Sequence, residues 1–158
     1  MSNTVIFERV RVDNMILFEG FSAREGSPIY IQIILYIKRG VVAGTIKDGD
    51  ELPSRRMLSS LLSVNPNTVQ KAYRLLEEES LIVSQTGAKS LMVVDVDKKK
   101  KIRSQLLEDD TLNIISTMKG MGISKTEALE LIEKYWERGE EDEEASVGAD
   151  AHSTKHHL

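Results

Sequence analysis

Apolar residues recur at helical spacing in five stretches of the chain and in two short runs that read as strands. The first helical stretch carries Ile33, Ile37 and Val41 along one face. Ser27 is placed to cap it, Pro28 to fill the first helical position where a missing N–H costs nothing, and Gly44 to end it. After an Asp48-Gly49 turn, Ser54 opens a short helix with Leu58, Leu61 and Leu62 at i, i+3 and i+4. Ser63-Val64 follows, and Asn65-Pro66 at once opens a third helix. There Val69, Ala72, Tyr73 and Leu76 fall at i, i+3, i+4 and i+7, the spacing of a single buried stripe. Residues 81–84 and 90–94 read as the strands of a hairpin with Gly87 at its tip. A helix, a tight helix pair and a hairpin in this order make a winged helix-turn-helix.

Helical patterning resumes at Lys98, with Leu107, Thr111, Ile114, Ile115 and Met118 on one side as far as Gly120-Met121-Gly122. Ser124 and Glu127 form a capping box for a last helix. It carries Ala128, Leu131, Ile132, Tyr135 and Trp136 at i, i+3, i+4, i+7 and i+8, with Gly139 as its stop. A helical hairpin of about forty residues is too small to enclose a core of its own. Its apolar face, made by Ile114, Ile115, Met118, Leu131, Ile132, Tyr135 and Trp136, therefore needs a partner and is expected to dimerise, ahead of the alternative that it packs on the same chain's winged helix.

The expected fold class is mainly α with a small β wing (α+β), a winged helix-turn-helix domain followed by a short C-terminal helical dimerisation segment. Four segments follow: an N-terminal arm at 1–27, the winged helix at 28–96, the helical segment at 97–139 and an acidic tail at 140–158. The arm alternates weakly around Val10 and Val12, runs apolar from Met15 to Phe18 and ends at the turn-prone Arg24-Glu25-Gly26, the pattern of one or two short strands packed on the main domain. The tail holds almost no large apolar residue and is expected to be disordered.

The polar face of the third helix carries the chemistry. A helix entering the DNA major groove needs short polar side chains near its N-terminus and longer cationic ones behind them. Asn65, Asn67, Thr68, Gln70, Lys71 and Arg74 supply that mixture, since Asn and Gln can pair bidentately with adenine and Lys can reach guanine or a phosphate. Ser54, Arg55 and Arg56 at the start of the preceding helix add a hydroxyl, two guanidinium groups and free amides for phosphates. Gly87 and Lys89 lie where a wing tip meets the backbone or minor groove. Each residue also has a purely structural reading, Asn65 as a cap and Lys71 or Arg74 as partners of Glu77 or Glu78. The combination is more specific than any member.

Bulk composition narrows the classes. A chain of 158 residues has no room for a large separate catalytic or sensing domain. With no cysteine it has neither disulfides nor thiolate chemistry, which fits a cytoplasmic protein. Its three histidines, His152, His156 and His157, all fall in the tail, so neither an enzyme nor a metal site or cofactor is expected. Charged residues interrupt the N-terminal apolar positions, and no run approaches a membrane span. Net charge is -4, but residues 28–94 carry +2 and residues 95–158 carry -5. The acid lies at the C-terminal end, and the basic excess of the winged helix alone would not announce DNA.

The runs Pro28-Ile29-Tyr30-Ile31-Gln32-Ile33, Leu52-Pro53-Ser54-Arg55-Arg56-Met57-Leu58-Ser59 and Val64-Asn65-Pro66-Asn67-Thr68-Val69-Gln70-Lys71-Ala72-Tyr73, with Leu76-Glu77 and Leu81-Ile82, resemble the GntR family of bacterial regulators. The short segment after the wing resembles the YtrA-like subfamily. That resemblance implies a winged helix-turn-helix that binds an inverted-repeat, double-stranded DNA operator as a homodimer. Repression and proximity to ABC-transporter genes are further implications. It also implies DNA contacts at Arg56, Asn65, Asn67, Thr68 and Lys71. Two positions depart from the family pattern: Ser80 replaces a glycine before the first wing strand, and Gly87-Ala88-Lys89-Ser90-Leu91 lacks the second wing glycine. A small-molecule effector stays open as a partner, with no residue cluster to identify it. The competing class is a winged helix that binds protein, which would call for an apolar or acidic outer face on the third helix.

Overall fold

The computed structural model describes residues 14–87 and 89–138. The arm positions before residue 14, Ala88 at the wing tip, Gly139 and the acidic tail, with its three histidines, lie outside the described residues. The chain divides into two compact units, Met1–Leu107 and Glu108–Leu158. No helix among the described residues is long and apolar enough to cross a membrane.

In the first unit, α1 (Ile29–Ala43), α2 (Arg55–Leu62) and α3 (Pro66–Glu78) pack around one core with a three-stranded antiparallel sheet. The strands are β1 (Glu51–Leu52), β2 (Ile82–Gln85) and β3 (Lys89–Met92), in the order β1-β3-β2. The stripes expected on α1 and α3 are buried: Ile33, Ile37, Val41, Val69, Ala72, Tyr73 and Leu76 are all 2% exposed or less. Ser54 caps α2 by accepting from Met57 N at 3.1 Å, and Asn65 caps α3 by accepting from Asn67 N at 2.8 Å, with Pro66 in the first turn.

Four details differ from expectation, each for a physical reason. Pro28 occupies the cap position of α1 and Ser27 makes no cap bond. Gln32 ties down the entry instead, bonding Arg24 N, Arg24 O and Ser27 O through its amide. Leu61 is 62% exposed. The face of α2 that meets the core is Leu58, Ser59 and, in part, Leu62, and at about 100° per residue this turns Leu61 outward. Strand β1 is too short to show a period; Pro53, which has no N–H to donate, follows it. Finally, the first unit extends past residue 96, because α4 (Val96–Gly120) sinks Ile102 and Leu106 into its core.

The arm is part of this unit. Met15 bridges Glu51 in parallel, Ile16 N donates to Glu51 O at 2.8 Å, and Ile16 and Phe18 are buried. Phe18 stacks on Tyr36 of α1 with 4.9 Å between ring centres, and Tyr36 Oη donates to the carbonyls of Leu17 and Glu19.

Ser80 adopts φ +57, the left-handed region where the missing glycine would sit without strain. Lys98 of α4 holds the turn, its ammonium donating to Ser80 O at 2.6 Å and Val93 O at 3.2 Å. No hydrogen bond of the described residues uses the Ser80 hydroxyl. Ser80→Gly should therefore stabilise the protein by about 0.5–1 kcal/mol, the relief of strain outweighing the extra freedom of the unfolded chain. A urea midpoint that moves up with an unchanged slope is the expected result; a fall in midpoint would show that the serine side chain contributes something the backbone does not explain.

In the second unit, α4 ends in a Schellman turn. Gly122 has φ +76, Gly122 N donates to Lys119 O at 3.0 Å and Ile123 N donates to Met118 O at 3.0 Å. Ser124 then caps α5 (Lys125–Trp136) by accepting from Glu127 N at 3.2 Å. No residue of α5 is buried; Ile132, Tyr135 and Trp136 are 42%, 50% and 75% exposed, and Leu131 is half-buried. Ile114 and Ile115 of α4 are exposed and Met118 is half-buried; Leu112, Met121 and Leu129, which the periodic reading did not single out, are exposed with them.

Candidate nucleic-acid interface

The helix pair is held rigidly by its turn. Ser59 Oγ donates to Val64 O at 2.7 Å, Val64 N donates back to Ser59 O at 3.0 Å, and Ser63 takes the left-handed conformation that reverses the chain. Tyr73, on the buried face of α3, donates its hydroxyl to Pro53 O at 2.7 Å and so fixes α3 against the segment that starts α2. Burial pushes the Tyr73 phenol well above its ordinary range, against a smaller opposing pull from Arg55, so it stays a donor at any physiological pH.

With the apolar stripe buried, the opposite face of α3 is presented outward. Asn67, Gln70, Lys71 and Arg74 are exposed and Thr68 is half-buried beside them. Asn65 is exposed, with its side-chain oxygen engaged in the cap and its amide donors pairing with nothing else among the described residues. Arg74 pairs with Glu78 at 3.2 Å in an exposed i,i+4 bridge. Such a pair contributes little in water and yields readily to a phosphate.

Arg55 and Arg56, adjacent and alike in sequence, are placed differently. Arg56 is exposed and makes no ion pair among the described residues. Arg55 turns inward: its guanidinium lies 5.4 Å from the centre of the Tyr73 ring and pairs with Glu77 at 3.6 Å. Its Nε is buried and has no hydrogen-bond partner among the described residues. Glu77 also accepts from Ser84 Oγ of β2, so one carboxylate links α2, α3 and the wing. Nothing in the sequence pattern marks Glu77 for this, because its partners lie 22 positions before it and 7 after.

The wing is the expected hairpin, with Ile82↔Met92 through Gln85↔Lys89 in register. Gly87 has φ +91 and open space where a side chain would stand. Lys89 is drawn back to Glu51 of β1 at 3.3 Å. Ser54 is exposed at the N-terminus of α2, its hydroxyl oxygen taken by the cap.

The family model "Bacterial regulatory proteins, gntR family" matches residues 29–90, the interval that holds all of these elements. A GntR family transcriptional regulator from Listeria monocytogenes has a solved structure that superposes with a TM-score of 0.62 at 35% identity, covering 71% of this chain and 98% of that one. The chain belongs to the GntR family. As a GntR regulator it is a DNA-binding transcription factor, in a family of regulators and not of enzymes. It is YtrA-like in sequence: the HTH-type transcriptional repressor YtrA of Bacillus subtilis (strain 168) is 47% identical over 64 residues. That match covers 40% of this chain and 49% of the repressor, so this GntR chain matches about half of that relative's length. The regulator YhcF of the same organism is 28% identical over 116 residues, covering 73% of this chain and 96% of its own.

Proposed function

We propose that this GntR regulator is a cytoplasmic repressor that binds an inverted-repeat operator as a homodimer, one half-site to each α3. The observation that carries the reading is the exposed donor-rich face of α3, Asn67, Gln70, Lys71 and Arg74, on a helix whose other face is fixed by Val69, Ala72, Tyr73 and Leu76. Asn67, Thr68 and Gln70 read base edges, and Asn65 adds its free amide at the helix start. Arg56 and Ser54 at the head of α2 take a phosphate, Lys71 and Arg74 reach phosphates or guanine, and Gly87 with Lys89 brings the wing to the backbone. Arg55 contributes by holding α2 and the wing to α3. Residues 28–96 form the DNA-binding part and residues 97–139 the dimerisation part, with the start of α4 rooted in the former through Ile102 and Leu106.

Control of ABC-transporter genes rests on the YtrA-like resemblance. Sequencing the genomic fragments retained by the protein tests it, and fragments without a shared palindrome would overturn the operator reading. Binding should also fall steeply with salt, because each phosphate neutralised releases counterions. With Arg56, Lys71 and Arg74 acting in both protomers, about six phosphates are engaged, and affinity should drop roughly 10³-fold between 50 and 200 mM salt. Affinity that is flat across that range would remove the phosphate contacts from the account.

A further inference from the structure

The Lys71 ammonium lies 4.0 Å from the centre of the Tyr30 ring, well inside the roughly 6 Å over which an aromatic face attracts a cation. Tyr30 is the second residue of α1, half-buried and packed against the hydrophobic core, so its ring is a fixed platform. Lys71 is exposed and has no ion pair among the described residues. It differs in this from Arg55, whose guanidinium over Tyr73 is also held by Glu77. A lone lysine on a helix surface spreads its charge over many rotamers, and fixing it on binding costs entropy. A ring in contact with the ammonium narrows that spread beforehand. Because an ammonium has three donors, those turned away from the ring stay available to an acceptor.

We propose that Tyr30 is a positioning residue for Lys71, holding its ammonium in a restricted set of orientations on the outward face of α3, so that its contact with a DNA phosphate or guanine edge costs less ordering. The inference rests on the reading of α3 as the DNA-reading helix. Tyr30 acts through Lys71 and needs no contact with DNA itself.

The test is a double-mutant cycle on the full chain, with affinity measured on a genomic fragment selected by the unmodified protein. Tyr30→Phe keeps the aromatic face, while Tyr30→Leu and Tyr30→Met remove it; using both guards against one of them failing to fold, which thermal melting checks. Tyr30→Phe should stay within about twofold of the unmodified protein, and the aliphatic variants should weaken binding about 2- to 5-fold. In a Lys71→Ala background the same aliphatic changes should have no further effect. Three results would overturn the proposal: an equal loss in both backgrounds, which makes the ring's role independent of Lys71; a loss in Tyr30→Phe matching the aliphatic variants, which makes the hydroxyl the acting group; or tighter binding by the aliphatic variants, which means the ring sequesters Lys71. If Lys71→Ala leaves affinity unchanged while Arg56→Ala lowers it, Lys71 has no contact to position, and the proposal fails while the interface stands.

Discussion

Arg56→Ala is expected to weaken binding to operator and scrambled DNA alike, by about 1.5–3 kcal/mol, and to lower the slope of log affinity against log salt by about 1 for each protomer. Its guanidinium is exposed at the N-terminus of α2 and pairs with no carboxylate among the described residues, and a phosphate contact through it carries no sequence information. Asn67→Ala should behave differently. It should cost about 1–3 kcal/mol on the operator, change scrambled-DNA affinity little, and relax base preference at one position of each half-site. Side-by-side titrations on both DNAs separate the two patterns. Unchanged affinity in both variants would sink the assignment of this face, whereas a uniform loss in Asn67→Ala would mean that Asn67 holds the backbone and another residue reads the base.

What the sequence allowed and what it hid can be traced to the range of the interactions involved. The helix pair was legible because its signals are local: Ser54 and Asn65 cap amides two or three residues away, and the stripe on α3 repeats over about two turns. The wing was legible from Gly87 between two short apolar runs. Arg55 and Arg56 could not be told apart, because what draws Arg55 inward is Tyr73 and Glu77, on another helix 18 and 22 residues later. Tyr30 was invisible for the same reason: its partner Lys71 is 41 positions away. The two-residue strand β1 exists only because β3 and the arm lie on either side of it. Helix α4 shows a weak period because it serves two environments in turn, burying Ile102 and Leu106 in the first unit and exposing Ile114 and Ile115 beyond it.

Replacing Leu131 and Trp136 together by glutamate should convert a homodimer into a monomer and cut operator affinity by at least about 10²-fold, the avidity lost when two half-sites are no longer engaged by one molecule. In the second unit, α5 buries no residue, and Ile132, Tyr135 and Trp136 stand exposed together with Ile114 and Ile115 of α4. Large apolar side chains left exposed in this number are costly in water and call for a covering partner. A second copy of the chain is the occupant we propose, because an inverted-repeat operator needs a two-fold protein and a self-complementary patch provides one without further machinery. Neither Leu131 nor Trp136 belongs to the core of the first unit, so the winged helix should keep its fold and its salt-dependent binding to scrambled DNA. Loss of that binding in the double variant would instead indicate general unfolding. Sedimentation decides the rest: an unmodified chain that is monomeric at micromolar concentration, or a double variant that still dimerises, would move the dimer interface away from these helices.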